Sequence, residues 1–165
     1  MSVIHEERED RTVEPRRPVV DLGDAAATDP AVAGAKAAAL AVARRAGLPT
    51  LGGFVITTDG TASLDCGWCD AVAAMREAWH GLSAGGHHPL VVRSSSTVED
   101  GAASSMAGMF TSVLDVRDWP AFREAVRVVL GSAKAVPGIA PAPMAVLVQP
   151  FLEPRFGGVL FGATR

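Results

Sequence analysis

The chain has 165 residues, 48% hydrophobic and 20% charged, with a formal net charge of -3. That is enough for one domain with its own core or two small lobes, and it excludes a basic surface for non-specific binding to nucleic acid or anionic membrane. No apolar run spans a bilayer, and the opening "MSVIHEEREDRTVEPRRP" lacks the apolar stretch of a secretory signal, so the expectation is a disordered charged tail over residues 1–18, a folded body over 19–165 and a cytoplasmic location.

In chain order, residues 19–22 form a short apolar run ended by Gly23 and Asp24. "AAATDPAVAG" reads as a loop. Residues 35–46 are alanine-rich and close with "RRAGLP": arginines in a last turn, Gly47 past it and Pro49 beyond are helix stop signals. Residues 54–58 of "GGFVITTDG" read as a strand bounded by glycines, and "TTDGTASLD" as a loop. Residues 71–82 form a second helix with Val72, Met75 and Trp79 on one face. Short strands follow at 90–92 and 112–116, and Asp118 caps a helix over 119–130 with Pro120 in its first turn and Phe122, Val126, Val129 and Leu130 as its apolar stripe. "SAKAVPGIAPAP" is a Pro/Gly loop, and strands are expected at 144–149 and 158–161. Helices and strands are interspersed, so the fold class is α/β (α+β).

Two stretches carry chemistry. "DCGWCDAVAAM" holds the C-x-x-C pair Cys66 and Cys69. A redox pair needs a βαβ context directly before the motif, and a zinc site using His80, His87 or His88 lacks a second C-x-x-C or an H-x-x-x-H. The reading adopted is two small residues at the start of an alanine-rich helix. The other stretch is "LVVRSSSTVEDGAASSMAGMF". Arg93 stands where a buried strand is expected to end, and its guanidinium offers a planar fork of donors suited to a phosphate. Ser94, Ser95, Ser96 and Thr97 add hydroxyl and backbone donors. Ser104, Ser105, Ala107 and Gly108 make a second small-residue loop through which backbone amides can approach an anion. The alternative is a serine-rich linker with Arg93 solvated at a strand end.

"VVRSSSTVEDGAASSMAGMFTSVLDV" resembles the signature of the nucleotide-binding domain of pyruvate phosphate dikinase and phosphoenolpyruvate synthase, shared by the rifampicin phosphotransferases. "VAGAKAAALAVARRAGLPTLGGFVITTDG" is similar to that family's opening, and "MAVLVQPFLEPRFGGVLFGATR" to its V-V-V-Q-x-M-V strand and following S-G-V-L-F-T. The resemblance implies the N-terminal portion of an ATP-grasp domain in a kinase-type transferase using ATP and Mg2+. It assigns Lys36 and Arg93 to the ATP phosphates as the catalytic pair. Ser105, Met106, Ala107 and Gly108 become the loop closing over the phosphates, and Gln149 and Phe151 belong to the segment meeting the adenine. Read without the family, Lys36 is a lone lysine in an alanine-rich helix, the usual setting of a solvated charge, and Gln149 bonds either a base or a backbone group.

The family's G-G-K is Gly34-Ala35-Lys36 here, Met109 follows the S-x-A-G loop, and Pro150 after Gln149 removes a backbone donor. The family domain continues into a second lobe that carries the magnesium ligands, followed by phosphohistidine and acceptor domains. The expectation is therefore either phosphotransferase activity completed by a separate chain bearing that lobe, or a truncated or split non-catalytic nucleotide-binding module. Glu99 and Asp100 are expected to belong to the loop rather than to a metal site. The missing lobe would leave an apolar face of the strands at 144–149 and 158–161 exposed.

Overall fold

The computed structural model describes residues 17–65, 69–97, 111–133 and 143–156. The expected tail, apart from its last two residues, lies outside them, as do Cys66, the acidic pair Glu99 and Asp100, the loop from Ser104 to Gly108 and the strand at 158–161.

Among the described residues five strands form one sheet: β1 (Val19–Asp21), β2 (Phe54–Ile56), β3 (Leu90–Ser96), β4 (Ser112–Val116) and β5 (Met144–Pro150). Their spatial order is β1-β2-β5-β3-β4 and every pairing is antiparallel. The fold is therefore α+β. β5 lies at the centre, paired to β2 on one side and to β3 on the other. Its residues Met144 to Gln149 are all buried, because helices cover both faces. This corrects the expectation of an exposed apolar face on that strand.

The two faces differ in chemistry. One is covered by α3 (Cys69–Ser83) and α4 (Trp119–Ala133). Their inward residues Met75, Trp79, Phe122, Val126 and Val129 meet Phe54, Ile56, Leu90, Val92, Val146 and Val148 of the sheet. The Trp119 and Phe122 rings stack with centroids 5.5 Å apart, and Trp79 lies 5.7 Å from Trp119. Phe122 is fully buried, which stabilises the fold by roughly 1.5–3 kcal/mol relative to leaving it in water. Asp118 caps α4 as expected, its Oδ1 accepting from the Ala121 amide at 2.7 Å.

The other face is covered by α1 (Pro30–Arg45) and a short 3-10 turn, Ala25–Thr28. Here the buried helix residues are Ala33, Ala37 and Ala41, set against Val55, Ala145 and Leu147. Ala37 and Ala41, four residues apart, lie in one line, and the small side chains of all three let the helix approach the sheet closely.

Three readings from sequence change. "AAATDPAVAG" is not a loop: α1 begins at Pro30, with Asp29 as its cap, Oδ1 accepting from the Ala31 amide at 2.8 Å. "TTDGTASLD" is mostly helix, α2 (Thr58–Asp65), held by Thr57 Oγ1 accepting from the Gly60 amide and by the Thr61 hydroxyl donating to the Met144 carbonyl. The serines after Arg93 are not a loop either: β3 continues to Ser96, and Ser94, Ser95 and Ser96 are each at most 1% exposed. Their pairing with Val146, Ala145 and Met144 of β5 overrides the weak strand preference of serine.

Candidate functional site

The site is built where α1 crosses β3. Within α1, Gly34 leaves helical geometry at φ 74° and ψ 162°, so the helix breaks and restarts at Ala35. A side chain at Gly34 is excluded twice over. The positive φ suits glycine, and an added Cβ would lie 1.9 Å from the Ser95 carbonyl oxygen. Backbone therefore touches backbone at this crossing, and the restarted helix presents its first turn to β3.

Lys36 is the second residue of that turn. Its Nζ donates to the Ser94 carbonyl at 3.1 Å. The next residue, Ala37, donates its amide to the buried Ser95 Oγ at 3.0 Å. The ammonium is thus held at the carbonyl of the residue next to Arg93. Arg93 pairs with Leu147 of β5 and Ser112 of β4, and alternation along the strand puts it on the α1 face with Leu147 and Ser95. Arg93 and Lys36 are both half-buried. Two cations from segments far apart in sequence are thereby brought to one strip of β3. A lysine in the first turn of a helix segment runs against the helix dipole, and here the strand carbonyl compensates it.

Gln149 lies on the same face, two residues beyond Leu147 and opposite Val91. It is 4% exposed, and its Nε2 donates to the Leu51 carbonyl at 3.2 Å. Of the two partners open from sequence, this is the backbone one. Phe151 follows β5, half-buried, with its amide donating to the Pro89 carbonyl at 2.8 Å. Ser105, Met106, Ala107 and Gly108 lie outside the described residues.

The model of the pyruvate phosphate dikinase AMP/ATP-binding domain matches residues 69–165, more than half of the chain. The chain belongs to this family. The matched span holds α3, β3, β4, α4 and β5, and so includes Arg93 and Gln149, whereas Lys36 precedes it. Among curated proteins nothing matches the chain. The matched span is an AMP/ATP-binding domain of the pyruvate phosphate dikinase kind, in line with the α+β architecture.

Sequence reasoning named Ser95 and Gly34 but did not place them against each other. Ser95 was read as one donor in a loop, and Gly34 as the first glycine of a motif. Both belong to the helix–strand crossing. The available signal was the "AGAK" break inside an otherwise continuous alanine helix.

Other candidate sites are weaker. A cleft of about 400 Å3 lies between β1 and α3, lined by Val19, Asp21, Phe54, Ala78 and Leu82 among others. It is on the opposite face of the sheet from Lys36 and Arg93, and Asp21 already accepts from the Gly23 amide at 2.7 Å. Among the described residues no group of three or more His, Cys, Asp or Glu side chains is gathered to hold a metal ion. His80, His87 and His88 are exposed, and Cys69 starts α3. No helix among the described residues is long and apolar enough to cross a membrane.

Proposed function

We propose that the chain binds ATP on the α1 face of its sheet, with Lys36 and Arg93 as phosphate ligands, and that it serves phosphoryl transfer in a phosphoenolpyruvate synthase/pyruvate phosphate dikinase-like kinase of ATP-grasp architecture. The observation that carries this reading is the Lys36 ammonium seated 3.1 Å from the Ser94 carbonyl, beside Arg93. A polyphosphate needs positive charge at two points along its length. A guanidinium provides a planar fork and an ammonium a compact point charge. Membership of an AMP/ATP-binding family supports the same ligand.

In phosphoryl transfer most of the catalysis is positioning and charge neutralisation. Lys36 and Arg93 would then stabilise charge on the phosphate oxygens, and neither would act as an acid or base. The loop from Ser105 to Gly108 would close over the phosphates, and Gln149 and Phe151 would border the adenine. Because Gln149 already bonds the Leu51 carbonyl, its contribution there is to shape the pocket wall. Magnesium would accompany the triphosphate. The described residues show no acidic cluster fitted to it, so its ligands are proposed to come from a second lobe, as part of this protein or on a separate chain that also carries a phosphohistidine domain. A cytoplasmic location fits the use of ATP.

Titration calorimetry tests the reading. ATP is expected to bind the wild-type chain measurably and the Lys36→Ala and Arg93→Ala variants more weakly, with circular dichroism unchanged. Equal ATP affinity in all three proteins refutes the assignment of both residues.

A further inference from the structure

The restarted segment of α1 lacks an ordinary cap. The first amides of any helical segment have no carbonyl partner within it, and a polar side chain just before the segment usually satisfies one. Here the preceding residue is Gly34, which has no side chain to offer. The missing acceptor comes from β3 instead: Ser95 Oγ receives the Ala37 amide at 3.0 Å, across 58 positions of sequence. Ser95 is 0% exposed, and the crossing at Gly34 is too tight to admit even a Cβ. Lys36, between Gly34 and Ala37, is thus fixed at both ends. Its backbone is pinned through Ser95, and its ammonium rests on the carbonyl of Ser94.

We propose that Ser95 is a positioning residue, which holds the first turn after Gly34 so that the Lys36 ammonium stands at a set distance from Arg93 on β3. The spacing of the two cations is then a property of the strand, since one strand carries Arg93, the acceptor for the ammonium and the acceptor for the backbone. A polyphosphate meets a preorganised pair of charges and does not have to order a long lysine side chain on binding. This inference rests on the reading of Lys36 and Arg93 as phosphate ligands, and it adds the group that aligns them.

The test uses the full 165-residue chain with lysine labelled with carbon-13 at Cε. The chain contains two lysines, Lys36 and Lys134, so the spectrum holds two signals and the Lys36→Ala variant assigns them. The variants are Ser95→Ala and Ser95→Cys, the second keeping the side-chain volume while replacing the hydroxyl with a poor acceptor. Both are expected to shift the Lys36 Cε signal, to speed exchange of the Ala37 amide and to weaken ATP binding about tenfold, the net weight of roughly one hydrogen bond. Adenosine affinity is expected to stay constant. In a Lys36→Ala background, Ser95→Ala is expected to cost no further ATP affinity. If Ser95→Ala fails to fold, Ser95→Cys carries the same readouts.

An unmoved Lys36 signal and Ala37 amide in the folded variants overturn the proposal. So does an effect confined to the alanine variant, which would mark a packing role. An equal loss of ATP affinity with Lys36 absent overturns it as well. A shifted Lys36 signal, with ATP affinity insensitive to Lys36, Arg93 and Ser95 alike, supports the anchoring and overturns the phosphate reading on which it was built.

Discussion

The two faces of the sheet solve different problems with the same β5 strand. Toward α3 and α4 the sheet turns Met144, Val146 and Val148, which meet Trp79, Phe122 and Val126. Toward α1 it turns Ala145 and Leu147, which meet Ala33, Ala37 and Ala41. Bulk on the first face buries apolar area. Smallness on the second lets backbones approach until Gly34 touches Ser95, and it is there that Lys36 reaches the carbonyl of Ser94, next in the strand to Arg93. Stability and proposed binding are thus drawn largely from opposite sides of one sheet, and substitutions ought to separate them.

The largest separation is expected from Phe122→Ala on the bulky face. Emptying a fully buried aromatic site costs about 3–5 kcal/mol, enough to unfold a marginal domain. Urea denaturation is expected to show that loss, and any fraction still folded is expected to bind ATP normally. A stability change below about 1 kcal/mol would mean the face is not the principal core.

Gly34→Ala attacks the other face at its closest point. Strain at positive φ and overpacking against the Ser95 carbonyl together are expected to cost at least about 2 kcal/mol. Unlike Phe122→Ala, this change is expected to remove ATP binding even from the folded fraction, because it displaces the turn bearing Lys36. Full ATP affinity in a folded Gly34→Ala protein would contradict the crossing as the site's foundation.

Arg93→Ala should affect binding alone. Loss of a charge-assisted contact is expected to weaken ATP binding by about 1.5–3 kcal/mol by calorimetry, with little change in the denaturation midpoint. A large stability loss with ATP affinity intact would make Arg93 a structural residue.

The smallest effect is expected at the solvent side of α4. Arg127 forks onto Glu124 with contacts of 2.6 and 2.7 Å, and this hydrogen-bonded carboxylate raises the guanidinium pKa above its ordinary value. The group is fully exposed, so Glu124→Gln is expected to leave melting temperature and ATP affinity unchanged. A clear drop in either would show that α4 contributes through its surface as well as its buried stripe.

Legibility followed the same division. The bulky face was readable, because Met75–Trp79 and Phe122–Val126–Val129 repeat with helical spacing and Asp118 announces its helix. The alanine face was half readable. Its helix end was marked by Gly47 and Pro49, but its start was obscured, since Gly34 punctuates what is one helix in outline and two segments in geometry. Ser94 to Ser96 misled for a physical reason: serine has little strand preference of its own, and only pairing with β5, a partner far along the chain, makes the segment extended. α2 was hidden similarly, its helical turns secured by the side-chain bonds of Thr57 and Thr61 and not by an apolar stripe. Lys36 and Arg93 were singled out as individual residues through the family motifs, and their role is the one proposed above. That Lys36 reaches the Ser94 carbonyl next to Arg93, and that Ser95 receives the Ala37 amide, was not legible, because no spacing along the chain encodes a crossing in space.

The central place of β5 has a consequence for the order of events during folding. The strand that joins the β1–β2 pair to the β3–β4 pair is also the last of the five to be synthesised. Until it emerges, β2 and β3 present open edges, and the β1–β2 and β3–β4 pairs have no common sheet to join. Closing it draws together segments widely separated in sequence, a topology that favours slow folding and a window of aggregation-prone exposure. The sheet that carries the crossing of α1 on β3 is therefore completed only when β5 is in place, and an intermediate lacking β5 is the form most in need of a chaperone.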